Sequence, residues 1–126
     1  MNSLILILIV GVGGAIGTTL RFLLSYFFKS HIPKHTHLAT WCVNTVGCFF
    51  IGFFFILFQH HISTLWRDLI ITGIMGGLTT FSSFSLDNVK LIEQQRYKIL
   101  VLYIIITILC GAIALLLGIG LGTLLF

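Results

Sequence analysis

Uncharged polar residues inside long apolar runs are the side chains of this sequence best suited to chemistry. They are Thr40 and Asn44 in the second run, residues 79–85 in the third, and Tyr103 and Thr107 in the fourth. Polar groups in apolar helices usually face the interior of a bundle, where they line the paths of substrates and ions. From these residues alone two interpretations stay open: a polar path for a small ion, or ordinary hydrogen bonds between packed helices.

The spacing within the third and fourth runs places hydroxyl groups beside aromatic rings. At 100° per residue, Phe81 and Phe84 share one face of a helix, and Ser82 lies on a neighbouring face. Tyr103 and Thr107 are separated by four residues and therefore form one stripe on the fourth helix. The sequence thus predicts a track of hydroxyls next to phenylalanine rings.

Other kinds of chemistry find no support in the sequence. The acidic residues lie at the edges of apolar runs and match no arrangement of nucleophile and base, so we expect no enzyme. The glycines of residues 11–17 have the wrong spacing for a dinucleotide-binding turn, and no alternation of strands and helices accompanies them. The histidines have no cysteine or carboxylate nearby to complete a metal site, which favours a position at a membrane interface. They are His31, His35, His37, His60 and His61.

The composition places these residues in a membrane protein. Apolar residues make up 58% of the 126 residues and charged residues only 8%, which excludes an ordinary water-soluble globule. The net charge of +4 comes from cations scattered between apolar runs, a pattern unlike a nucleic-acid-binding surface. The sequence therefore predicts a lipid environment and no nucleic-acid partner.

Four apolar runs are long enough to cross a bilayer, which takes about 20 helical residues. Their approximate bounds are 4–28, 38–58, 69–86 and 99–126. Continuous apolarity favours helices, since barrel strands alternate in polarity. We therefore expect an all-α integral membrane protein in which residues 1–126 form one four-helix domain.

The third run contains the residues least suited to a straight helix. Gly76 and Gly77 are adjacent and are followed by Thr79 and Thr80. A break at this depth is tolerated where the freed backbone groups line an internal cavity, whereas close packing of small residues would need no break. These residues alone favour the two possibilities about equally.

The same residues carry a resemblance to a known family. The sequence GGLTTFSSF at residues 76–84 resembles the signature of the small bacterial fluoride channels of the Fluc or CrcB type, with Ser83 in place of threonine. Residues 40–52 resemble a second family motif that includes Asn44, and residues 14–21 resemble a looser third motif that ends at Arg21. The likeness extends over essentially the whole chain.

The resemblance implies an antiparallel dimer with two anion pores and a third helix that is broken near the middle of the membrane. It implies a structural sodium ion at the dimer centre, bound by the backbone carbonyls of Gly76 and Thr79. It also implies that an anion path is lined by Asn44, Phe81, Phe84, Ser82, Tyr103 and Thr107.

The function implied by the resemblance is passive export of fluoride across the inner membrane of a bacterium, which lowers its toxic concentration in the cytoplasm. A small anion that gives up its hydration needs hydrogen-bond donors in exchange. The Asn44 amide, the hydroxyls and the positively polarised ring edges of phenylalanine provide them without a fixed charge. No nucleotide or redox cofactor is expected.

The loop charges predict an orientation. Basic residues concentrate in the first and third loops, which together contain Lys29, Lys34, Lys90, Arg96 and Lys98, whereas the opposite side has Arg67. The positive-inside rule therefore places both termini outside the cytoplasm. Because an antiparallel dimer also needs a subunit of the other orientation, the partner is either a second copy with dual topology or an oppositely biased homologue.

Two alternatives remain at this stage. A small four-span multidrug exporter would need a membrane-embedded carboxylate, and the first run contains none. A non-conducting structural subunit would use its glycines and hydroxyls for packing only.

Overall fold

The computed structural model describes residues 3–32, 37–60 and 63–126, and its regular elements there are all helices. Helix α1 covers Ser3–His31 and α2 covers His37–His60. Helix α3 covers residues 64–78, α4 covers Phe81–Glu93 and α5 covers Tyr97–Leu125. With α3 and α4 counted as one crossing, four helices are long and apolar enough to span a membrane, as the sequence predicted. His35, His61 and Lys34 lie outside the described residues.

The third crossing is longer than the apolar run that predicted it. The sequence indicated an end near residue 86, whereas α4 continues to Glu93. Hydropathy detects lipid contact and not helicity. The apolar run therefore did not include the last turns of α4, which are amphipathic and bury Leu91. The helix ends where Gln95 takes a left-handed conformation with φ of 55° and the N–H of Arg96 bonds the carbonyl of Leu91.

Close approach at glycines joins α1 to α3. A Cβ atom on Gly13 would lie 2.5 Å from the carbonyl oxygen of Leu69, and one on Gly17 would overlap the carbonyl of Ile74. The segment Asp68–Met75 of α3 is π-helical, and it lies along α1 at this contact. Such backbone contact is the role expected of these glycines in membrane helices.

Helices α2 and α5 form a second pair by the same means. A Cβ atom on Gly118 would overlap the carbonyl of Phe49, and one on Gly52 would overlap the carbonyl of Leu115. The glycine contacts hold α2 and α5 together along much of their length. The third crossing lies beside this pair, so the site described below forms between α2, α5 and the junction of α3 with α4.

Candidate functional site

The third crossing is interrupted by two threonines in extended conformation. Thr79 has φ of −75° and ψ of 152°, and Thr80 has φ of −152° and ψ of 123°. Both the N–H and the hydroxyl of Thr79 donate to the carbonyl of Met75, which completes the end of α3. The Thr80 hydroxyl oxygen accepts the N–H of Ser83 at 3.2 Å and so caps the start of α4.

Asn44 of α2 pairs with the backbone at this interruption. The N–H of Thr80 donates to Asn44 Oδ1 at 2.8 Å, and Asn44 Nδ2 donates to the Thr80 carbonyl at 3.0 Å. One side-chain amide therefore pairs with both backbone polar groups of Thr80, whose N–H has no partner in either helix. Because Nδ2 carries two hydrogens, Asn44 has a second N–H that does not take part in this pairing.

The interruption releases the backbone carbonyls of residues 76–79 from the helical ladder, those of Gly76 and Thr79 among them. In a continuous helix the N–H of Thr80 would donate to the carbonyl of Gly76, and that of Ser83 to the carbonyl of Thr79. Here these two N–H groups donate to Asn44 and to the Thr80 hydroxyl instead. The carbonyls of Gly76 and Thr79 are therefore free to meet another positive group.

A groove of about 460 Å³ opens beside the interruption. It lies near the middle of α2, where Asn44 and Cys48 line it, and near the middle of α5, where Thr107 lines it. The third crossing contributes Phe81 and Phe84. Asn44, Phe81, Phe84 and Thr107, which the sequence analysis selected, thus lie on one surface.

Aromatic rings form a series along the groove. The ring centroids of Phe81 and Phe84 are 5.8 Å apart, and those of Phe84 and Tyr103 are 5.5 Å apart. Phe81 is 79% exposed although it lies halfway along the third crossing. The groove is thus open on one side of the single chain.

The Thr107 hydroxyl is the clearest unused polar group of the site. Its oxygen is buried and has no hydrogen-bond partner among the residues that the structure describes. A threonine in a helix commonly donates to the carbonyl four residues earlier, which would hide its donor. Thr107 instead keeps its donor beside the groove.

Four other predicted site residues do not line the groove: Ser82, Tyr103, Gly76 and Arg21. Ser82 is exposed and shares a hydrogen bond of 3.0 Å with the Thr80 hydroxyl. Tyr103 contacts Phe84 but lies outside the groove lining, and its hydroxyl donates to Asp87 Oδ2 at 3.4 Å. Gly76 and Arg21 do not line the groove within the described ranges.

Asp87 and Thr80 are the residues that the sequence analysis missed as site residues. Asp87 was interpreted as the polar edge of an apolar run, whereas it is 7% exposed and lines a small cavity of about 90 Å³ with Lys29 and Lys90. Its position three residues after Phe84 would have placed it on the aromatic face. Nothing in the sequence signals the partner of Thr80, because Asn44 lies 36 residues away.

The groove combines features that suit a small dehydrated anion. It contains an amide, two phenylalanine rings and a hydroxyl without a partner among the described residues, and α4 begins beside it. The start of a helix carries partial positive charge, and ring edges are positively polarised. The described lining contains no ionisable carboxylate or amine, so an ion would meet dipoles rather than a fixed charge.

Fold and site together define a small multi-pass α-helical membrane protein with a largely apolar groove, halfway along its helices, that contains an amide and threonine hydroxyls. A family model described as "CrcB-like protein, Camphor Resistance (CrcB)" matches residues 8–119. The chain belongs to this family, which confirms the resemblance that the sequence motifs indicated.

Individual relatives agree with this assignment over most of their length. The chain is 44% identical over 117 residues to a protein of Azobacteroides pseudotrichonymphae, a match that covers 89% of the chain and 91% of the relative. It is 40% identical over 109 residues to a protein of Azotobacter vinelandii, with 85% and 88% covered. Both relatives are named "Fluoride-specific ion channel FluC". A protein of Listeria innocua named "Fluoride-specific ion channel FluC 1" is 38% identical over 119 residues, with 94% and 98% covered.

Replacement of Asn44 by leucine tests the pairing with Thr80. We expect Asn44→Leu to lower the free energy of unfolding in detergent by about 1–3 kcal/mol, because the backbone N–H of Thr80 is left unpaired. Thr45→Val is the matched control, because the buried Thr45 hydroxyl has no partner among the described residues and its loss should be nearly neutral. Equal stabilities of the two variants in chemical denaturation would contradict the role assigned to Asn44.

Proposed function

We propose that this protein is an ion channel that lets fluoride leave the cytoplasm passively. The observation that carries the proposal is the groove of neutral dipoles halfway along the helices, in a family whose similar members are named fluoride-specific ion channels. Channels conduct when an ion is bound well enough to enter and weakly enough to leave. Neutral donors meet this condition better than a lysine would.

The proposed anion path follows the groove past Phe81 and Phe84. The unused hydroxyl of Thr107 and the second N–H of Asn44 replace part of the hydration of the ion. Ser82 extends the donors beside the start of α4. Tyr103 contributes its ring rather than its hydroxyl, since the hydroxyl is donated to Asp87.

The direction of flow follows from the charge of the ion. Fluoride that enters a bacterium as the neutral acid ionises in the cytoplasm, and the negative interior potential then favours its exit. Such transport consumes no nucleotide and needs no redox cofactor, in agreement with a channel rather than an enzyme. The inner membrane of a bacterium is the location that this role requires.

A second chain is proposed to close the open side of the groove. Polar backbone and side-chain groups at mid-membrane depth are tolerated where protein or water covers them, and not against lipid tails. The lateral opening and the exposed ring of Phe81 therefore call for a protein cover. An antiparallel dimer, as the sequence motifs imply, would provide it with the same surface of a partner subunit.

A structural sodium ion is proposed at the centre of that dimer. The carbonyls of Gly76 and Thr79 fit this ion because the redirected N–H groups of Thr80 and Ser83 leave both oxygens without their helical donors. Gly76 is also exposed on the surface of the single chain. The ion would neutralise the partial negative charge of these oxygens and hold the two interruptions together.

Fluoride flux from liposomes tests the proposed channel. We expect rapid fluoride efflux without a proton gradient, and we expect Phe81→Ile or Phe84→Ile to reduce it to the rate of protein-free liposomes, because the aromatic edges are lost. A fluoride electrode records the efflux, and gel filtration shows whether each variant remains a dimer. Phe55→Ile, an exposed residue of α2 outside the groove, is the matched control and should conduct normally. Absence of flux from a well-folded wild-type dimer would favour a structural subunit instead.

Thermal unfolding tests whether a sodium ion binds to the folded protein. We expect a higher unfolding temperature in sodium chloride than in N-methylglucamine chloride of equal ionic strength, because a ligand that binds the folded state stabilises it by mass action. In Asn44→Leu the extended conformation of Thr80 loses its partner, so the carbonyls of Gly76 and Thr79 are held less firmly and this difference should shrink. Identical unfolding temperatures of the wild type in the two salts would rule the ion out.

The orientation in which the chain inserts into the membrane tests the identity of the partner subunit. Lys29 of α1 and Lys90 of α4 line the same small cavity, so these two basic residues lie at one end of the bundle. We expect this chain, expressed alone with a reporter at its C-terminus, to insert with that end in the cytoplasm and the reporter outside. One-way insertion requires an oppositely oriented homologue as partner. Equal signals from reporters active on each side would indicate a dual-topology homodimer instead.

A further inference from the structure

A second cavity, of about 310 Å³, lies between the first turns of α2 and α5. We call it the α2–α5 cavity. Its apolar walls include Leu38 of α2, and Ile99, Leu102 and Ile106 of α5. Its volume is at the lower end of the range of about 300–1,000 Å³ for small-molecule sites. It is separate from the groove, and Tyr103 forms the wall nearest to Phe84.

One donor of this cavity lacks an acceptor. Trp41 lines the cavity, and its Nε1 atom is buried without a hydrogen-bond partner among the described residues. An indole nitrogen can only donate, so it needs an acceptor such as the oxygen of a carbonyl, an ester or a phosphate. A ligand that brings such an oxygen into this cavity, whose walls are apolar apart from His37, Trp41 and Tyr103, would complete the site.

The position of the cavity indicates the kind of ligand. Trp41 lies four residues after the start of α2, and Ile99 lies two residues after the start of α5. This is the end of the bundle, where membrane helices meet the ester and phosphate groups of lipids and where tryptophan is enriched. Lipid acyl chains match the apolar walls, and lipid ester oxygens match the indole N–H.

Basic residues at the same end of the bundle indicate that the ligand carries a negative charge. Arg96 directly precedes α5, and Lys98 lies in its first turn four residues before Leu102, so both lie at the end of α5 where the cavity is. Basic pockets between membrane helices bind anionic lipid headgroups. The geometry points to a binding site for an anionic phospholipid, with its ester oxygens at Trp41 and its phosphate near Arg96 and Lys98.

The two tryptophans of the chain allow a direct test with lipids that carry bromine on their acyl chains and quench indole fluorescence on contact. Trp66→Phe leaves Trp41 as the sole tryptophan, which is excited selectively above the absorption of the three tyrosines. In vesicles of phosphatidylcholine we expect brominated phosphatidylglycerol to quench Trp41 at a mole fraction on the order of tenfold lower than brominated phosphatidylcholine, given two basic residues near the surface.

Trp41→Phe is the matched control, because it reports on Trp66, which is 56% exposed and is followed by one basic and one acidic residue. The two lipids should quench Trp66 at similar mole fractions. Replacement of Arg96 and Lys98 by glutamine in the Trp66→Phe background should remove the preference of Trp41 for the anionic lipid. The readout needs no ion flux, so it stands apart from the proposed channel activity.

Two outcomes would overturn the proposal. Equal quenching of Trp41 by both lipids would mean that the cavity does not recognise a headgroup charge. Quenching of Trp41 by neither lipid would mean that protein, such as a second copy of the chain, covers the cavity. Native mass spectrometry of the unaltered protein provides an independent measurement, in which retained phosphatidylglycerol is expected and its absence counts against the site.

Discussion

The hydrogen bonds between the Asn44 amide and the backbone of Thr80 are the interaction on which the site depends. An extended residue at the start of a helix leaves its N–H without a helical partner, at a cost of several kcal/mol in hydrocarbon. The Asn44 side chain satisfies this N–H and adds a donor to the Thr80 carbonyl. The interruption can therefore persist, and with it the free carbonyls of Gly76 and Thr79 and the start of α4 beside the groove.

The glycine contacts decide where the groove can form. Backbone contact between α1 and α3, and between α2 and α5, leaves little room for side chains within each pair. The polar side chains of α2 and α5 therefore meet the third crossing at its interruption. Because these contacts are between backbones, they are rigid in a way that long side chains are not. A rigid frame keeps neutral donors at fixed distances, which is how uncharged dipoles can recognise an ion.

Asp87 shows how a charged residue can support an uncharged site. It is buried beside Tyr103, whose hydroxyl it accepts, and it shares a small cavity with Lys29 and Lys90. The carboxylate thus orients the tyrosine from the end of the bundle while the groove itself keeps neutral walls. Tyr103 also contacts His37 of α2, so one ring joins the groove to the α2–α5 cavity.

Composition and spacing determined the lipid environment, the four helical crossings and the set of neutral polar residues, because hydropathy and helical periodicity are local properties of the chain. They also determined the family, through the motif at residues 76–84. They did not determine that Asn44 would hold Thr80, that Tyr103 would turn its hydroxyl to Asp87, or that Trp41 would bury an unpaired N–H. Each of these depends on contacts between different helices. Only the tertiary structure decides them, since a hydrogen-bond partner distant in sequence leaves no periodic signal along the chain.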